Sequence, residues 1–102
     1  MSRAGPSESK EKAKKAGKAI EVPESVRVLA ANVRRFRLRL GLSQVALAAA
    51  AAIEYKHFQK IEGAAWPGVR LDTVERLAKA LNVSMAELLA EEGMEVRRAR
   101  MD

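Results

Sequence analysis

From Val26 onward the apolar positions Val26, Leu29, Val33, Phe36 and Leu40 recur every three or four residues, the spacing of a helix with one buried face. Pro23, Glu24 and Ser25 supply a helix entry, and Gly41 suits the left-handed residue that closes the helix. Ser43 is then a good N-cap for a short second helix that opens at Gln44 and runs through an alanine tract, alanine being the best intrinsic helix former. Around Ala52, Ile53 and Glu54 the pattern breaks, and a third helix is expected over Tyr55 to Glu62. Phe58 and Ile61 share one face of it, while Tyr55, Lys56, His57, Gln59 and Lys60 occupy the rest. Ala64 to Arg70 reads as a connection, with Pro67 and Gly68 as turn signals and Trp66 as a partly buried lid over the core. Leu71, Val74, Leu77, Ala78 and Leu81 give the inner stripe of a fourth helix, with Arg76 and Lys79 outward. Ser84 and Glu87 form a capping box that opens a fifth, whose Met85, Leu88 and Leu89 are apolar. Any of these three that the domain leaves uncovered is expected to form a dimer surface.

Composition narrows the class without choosing a function. In 102 residues there is room for one small domain, and aromatic content of 4% with abundant Ala and Leu favours an all-α fold. Residues 1–22 hold almost nothing large and apolar, so they are expected to be a disordered basic tail, read first as a solubilising segment and second as an arm in which Lys10, Lys12, Lys14, Lys15 and Lys18 follow phosphates or enter a minor groove. Residues 23–92 are expected to form the domain, and 93–102 a mixed-charge C-terminal tail. Without cysteine there is neither a disulfide nor a thiolate metal site, so helix packing alone must stabilise the domain. No apolar tract approaches the ~18 residues of a membrane span, and a cytoplasmic protein is expected. The net charge of +6 points to a polyanionic partner, nucleic acid first and an anionic membrane surface second.

Several stretches, taken in order and spacing, resemble the Cro/CI-type (Xre-like) helix-turn-helix family of phage repressors and bacterial regulators. They are Leu42-Ser43-Gln44, Leu47-Ala48, the pair Phe58 and Ile61, Ile61-Glu62-Gly63, and the run from Leu71 to Leu88. The resemblance implies a compact five-helix, lambda repressor-like DNA-binding domain. It also implies that Arg37, one helical turn before Gly41, pairs with Glu62 at the end of the recognition helix, and that Ala48 sits where the second and third helices touch. Two positions depart from the family pattern. Ala52 stands where glycine is usual because the backbone adopts positive φ, at a cost of roughly 1 kcal/mol. Phe58 replaces a β-branched aliphatic and is expected to fill volume left by Ala51.

By the same resemblance, Gln44 docks a DNA phosphate at the start of the second helix, and Arg70 grips phosphate from a loop that is longer than the commonest family version. The N-terminal residues of a recognition helix point into the major groove, which makes Tyr55, Lys56 and His57 the first candidates for base contact and Lys60 the next. Gln59 reads adenine only if the helix is rotated beyond the usual pose, and Arg34 and Arg35 are candidates for nearby phosphates. A lone His57 without a cysteine, a second histidine or paired carboxylates nearby argues against metal binding or acid–base catalysis, and no cofactor or small-molecule ligand is expected. The expectation is a dimeric, repressor-like regulator on a palindromic double-stranded DNA operator, not an enzyme. The alternative class is an adaptor or coactivator, or an antitoxin, working mainly through protein contacts with a polymerase or a toxin.

Overall fold

The computed structural model describes residues 21–92; the expectations for the basic N-terminal arm and the C-terminal tail fall outside them. Five helices follow one another: α1 (Glu24–Arg39), α2 (Gln44–Ala50), α3 (Tyr55–Glu62), α4 (Leu71–Leu81) and α5 (Met85–Leu89). No strand occurs among the described residues. Helix α1 packs on α3 and α5, and α2 on α3 and α4, so that all five surround one core.

That core is built from Leu29 and Val33 of α1, Leu47 and Ala48 of α2, Phe58 and Ile61 of α3, Val74, Leu77, Ala78 and Leu81 of α4, and Leu88 of α5. Ala51 and Ile53, between α2 and α3, join it. Burying a side chain the size of Phe58 or Leu77 contributes about 2–3 kcal/mol. Phe58 and Ala51 are both enclosed, in keeping with a large ring compensating for a small neighbour. Two residues assigned to inner stripes are instead outside. Leu40 is 52% exposed and Leu71 is 70% exposed. Leu40 is the C-cap of α1 and Leu71 the first residue of α4, and at a helix end the helical phase continues after the packing partner has run out.

The first four helices close in the same way. An N–H three residues past the last helical residue, or two in α4, reaches back over the last turn, from Leu42 to Arg37 (3.0 Å), Ile53 to Ala48 (2.8 Å), Ala65 to Lys60 (2.8 Å) and Val83 to Ala78 (3.0 Å). Each closure puts one residue in the left-handed region: Gly41 (φ 73°), Ala52 (φ 58°), Ala64 (φ 57°) and Asn82 (φ 60°). The positive φ expected at Ala52 is therefore present, and Ala64 shares it. At the opening ends, the Ser43 hydroxyl accepts from the Ala46 N–H at 3.0 Å, and Ser84 and Glu87 exchange the reciprocal bonds of a capping box.

Two polar contacts set the angles between helices. Arg37, predicted to meet Glu62, does so, with Nη2 to Oε2 at 2.9 Å and Nε to the two oxygens at 3.1 and 3.2 Å. The second contact carries no hydrophobic signal in the sequence. Asn32 is buried in α1, and its Nδ2 donates to the carbonyls of Leu88 at 2.8 Å and Ala90 at 2.7 Å. One amide thereby satisfies carbonyls that the end of a short helix would otherwise leave unpaired.

Candidate nucleic-acid interface

Helix α3 is held from within and decorated outside. Phe58 and Ile61 are fully buried, and Glu62 closes the helix with a carboxylate that is only 3% exposed, clasped by Arg37. Tyr55, Lys56, Gln59 and Lys60 are exposed. Glu62 is the only acid within α3, and its charge is spent inside the molecule. The outward face of α3 is therefore cationic without internal compensation.

The candidates from the sequence do not all stand free on that face. Gln59 Nε2 donates to the Tyr55 hydroxyl at 3.1 Å, one turn apart, so the two form a unit. His57 is half-buried, its ring 4.3 Å from that of Trp66 and tilted by 42°. Its Nε2 is closed off from solvent and has no hydrogen-bond partner. The ammonium of Lys60 lies 5.3 Å from the centre of the same indole. Trp66 was expected to lid the core; it covers the flank of α3 instead, and the loop residue packed on the core is Val69.

Gln44 opens α2 but is half-buried, with Nε2 donating to Glu62 Oε1 at 3.0 Å. The buried carboxylate thus links the starts and ends of three helices: Arg37 near the end of α1, Gln44 at the start of α2 and Glu62 at the end of α3. Arg37 also donates through Nη1 to the Leu42 carbonyl at 2.9 Å, which ties the α1–α2 connection to the same cluster. Arg70 is exposed and forms a fork on Asp72, at 3.0 and 3.2 Å. That hydrogen bond, more than anything else nearby, holds the Asp72 carboxyl below its ordinary pKa. Arg35 is taken up within α1, donating to Asn32 Oδ1 at 2.7 Å with its guanidinium 4.5 Å over the Phe36 ring. The Arg35–Asn32 link joins neighbours three apart on one helix, which spacing allows but does not single out, whereas the packing of Trp66 depends on a loop contact that periodicity does not encode.

A short helix with an exposed cationic face, set at a fixed angle after a second short helix, is the scaffold of helix-turn-helix proteins. Residues 28–91 match the family model described as a helix-turn-helix domain. The chain belongs to that family, among the Cro/CI-type (Xre-like) DNA-binding transcription regulators. Its relatives of known structure include a hypothetical transcription factor, NHTF, from Neisseria, 31% identical over 72% of this chain and 87% of that one, with a TM-score of 0.65. The restriction-modification controller protein C.AhdI from Aeromonas hydrophila is 27% identical over 62% of this chain and 94% of its own, with a TM-score of 0.58. The clp gene regulator ClgR from C. glutamicum is 25% identical over 66% and 86% of the two chains, with a TM-score of 0.60. No match is found among the curated proteins. Among the described residues no helix is long and apolar enough to cross a membrane, and no group of three or more His, Cys, Asp or Glu side chains is placed to hold a metal ion.

Proposed function

We propose that the protein is a cytoplasmic, dimeric repressor-type regulator that reads a palindromic operator by inserting α3 into the major groove. The observation that carries this reading is the pairing of an exposed face on α3 that carries Lys56 and Lys60, the one acid within the helix being turned inside, with an inner face locked by Phe58, Ile61 and the Arg37–Glu62 fork. Lys56 and Lys60 reach guanine edges or the adjoining phosphates, and the Tyr55–Gln59 unit presents a hydroxyl and an amide together. His57 backs the helix against Trp66 rather than reading a base. A glutamine amide has two N–H donors. With one on Glu62, the other serves a phosphate at the start of α2, and Arg70 exchanges Asp72 for phosphate when DNA arrives.

One such helix spans only a few base pairs, so useful affinity requires two copies about one turn of DNA apart. Leu89, 42% exposed at the end of α5, is the apolar surface offered for that pairing. The regulatory roles named for C.AhdI and ClgR support the reading. The test is selection of bound sequences from a randomised duplex pool at near-physiological salt, with sedimentation of the complex. A symmetric consensus bound by two chains is the expected result. A flat profile would favour the adaptor or antitoxin alternative, in which protein contacts with a polymerase or toxin carry the function.

A further inference from the structure

We propose that Trp66 is a positioning residue for DNA recognition, holding Lys60 and His57 at a set angle on the flank of α3. The inference rests on the reading of α3 as the groove-entering helix. Lys60 and His57 are three residues apart and so lie side by side on the helix, and one indole bridges them. The His57 ring meets it at 4.3 Å with Nε2 sealed from solvent and unbonded. A polar nitrogen shut away without a partner opposes this placement, so packing against the indole must hold the ring there. The Lys60 ammonium, 5.3 Å from the ring centre, lies within the range of a cation–π contact.

The indole itself is fixed at both ends of its loop. On one side the Ala65 N–H returns to the Lys60 carbonyl at 2.8 Å through the left-handed Ala64; on the other Val69 is packed on the core. Trp66 therefore stays with α3 and not with the solvent. A lysine on a four-carbon stem is the most freely rotating of the recognition side chains, and confining it before binding removes part of the ordering cost from the complex. Tethered on that flank, Lys60 delivers its charge to one place in the groove, whereas the untethered Lys56 adapts. Trp66 thus shapes specificity without touching a base.

The experiment measures binding of the duplex enriched from a randomised pool, and of its single-base-pair variants, to wild type, Lys60→Ala, Trp66→Leu, Trp66→Phe and the Lys60→Ala/Trp66→Leu double variant. Trp66→Leu is expected to weaken binding about three- to tenfold. The loss should fall on the same base pairs that Lys60→Ala affects, with the double variant little worse than Lys60→Ala. Trp66→Phe should retain most of the wild-type discrimination. In wild type, emission from this single tryptophan should change on saturation with the duplex, a readout independent of how any variant folds. If Lys60→Ala impairs binding while Trp66→Leu does not, or if the two losses add in full, or if the emission is unmoved, the positioning role is overturned. If Lys60→Ala binds as wild type does, the reading of α3 falls first and the role of Trp66 with it.

Discussion

Arg37 and Glu62 form a buried fork between the end of α1 and the end of α3, with side chains only 10% and 3% exposed. Removing one member leaves the other charged and enclosed, which costs about 3–5 kcal/mol, whereas apolar replacement of both is far less damaging. Arg37→Ala is therefore expected to unfold at much lower denaturant than wild type. The Arg37→Met/Glu62→Leu pair should lose less stability than Arg37→Ala alone, although Gln44 and the Leu42 carbonyl then lose a partner. Chemical denaturation of the three proteins decides it, and a double variant as weak as the single one would show that the fork is not the source of the loss.

Asn32 and the carbonyls of Leu88 and Ala90 make the corresponding tie at α5. Asn32→Ala deprives buried acceptors of their donor and should cost about 1–3 kcal/mol. Asn32→Asp, nearly the same in shape, turns an oxygen towards those oxygens and should cost more than alanine. Amide exchange in α5 should accelerate in both variants ahead of exchange in α3.

Left-handed alanines at two helix ends are an opportunity for stabilisation. Ala52→Gly and Ala64→Gly should each stabilise the domain by about 0.5–1 kcal/mol, the relief at positive φ exceeding the greater freedom of glycine in the unfolded chain. Melting temperatures are expected to rise by a few degrees, about 4–8 °C per kcal/mol for a domain of this size. Gly41→Ala should do the reverse, and since a Cβ there meets nothing within 4 Å, its cost is conformational alone.

In the proposed interface Asp72 competes with DNA for Arg70. Its pKa is depressed by the Arg70 hydrogen bond, so whatever the pair contributes to stability is present above the ordinary carboxylate value of 3.8 and lost as pH falls through the lowered one. Both side chains are exposed, and the melting temperature should be insensitive to this pair between about pH 6 and 8. Asp72→Asn should leave melting unchanged and tighten binding to the selected duplex, because Arg70 no longer has to give up a partner, while Arg70→Ala should flatten the log–log salt slope by about 0.9, the signature of one lost phosphate contact. An unaltered slope would remove Arg70 from the interface.

The helices and the main core positions were legible because Leu29, Val33, Phe58, Ile61, Leu77 and Leu81 repeat at helical spacing. The alanine tract was legible as helix but not as orientation: Leu47, Ala48 and Ala51 face inward while Ala46, Ala49 and Ala50 do not, and a run of one residue type carries no phase. Arg37–Glu62 and the positive φ at Ala52 came from family resemblance; neither has a periodic signature. The burial of Asn32 was invisible because its partners lie more than fifty residues along the chain, and the target of Trp66 was invisible because the path of its loop, not helical spacing, brings it to His57 and Lys60. Of the residues expected on the outer side of α3, Tyr55, Lys56, Gln59 and Lys60 are exposed but His57 is half-buried, and the ties of Gln59 to Tyr55 and of His57 to Trp66 emerged only in three dimensions.

The central claim is that α3 carries recognition through its outward lysines. The most direct measurement compares wild type with Lys56→Ala/Lys60→Ala on the selected duplex and on a scrambled one, at matched salt and with melting temperatures recorded. The double variant is expected to lose about 30-fold or more on the selected duplex, to approach the affinity for scrambled DNA, and to melt as wild type does. Wild-type affinity and discrimination in the double variant would contradict it.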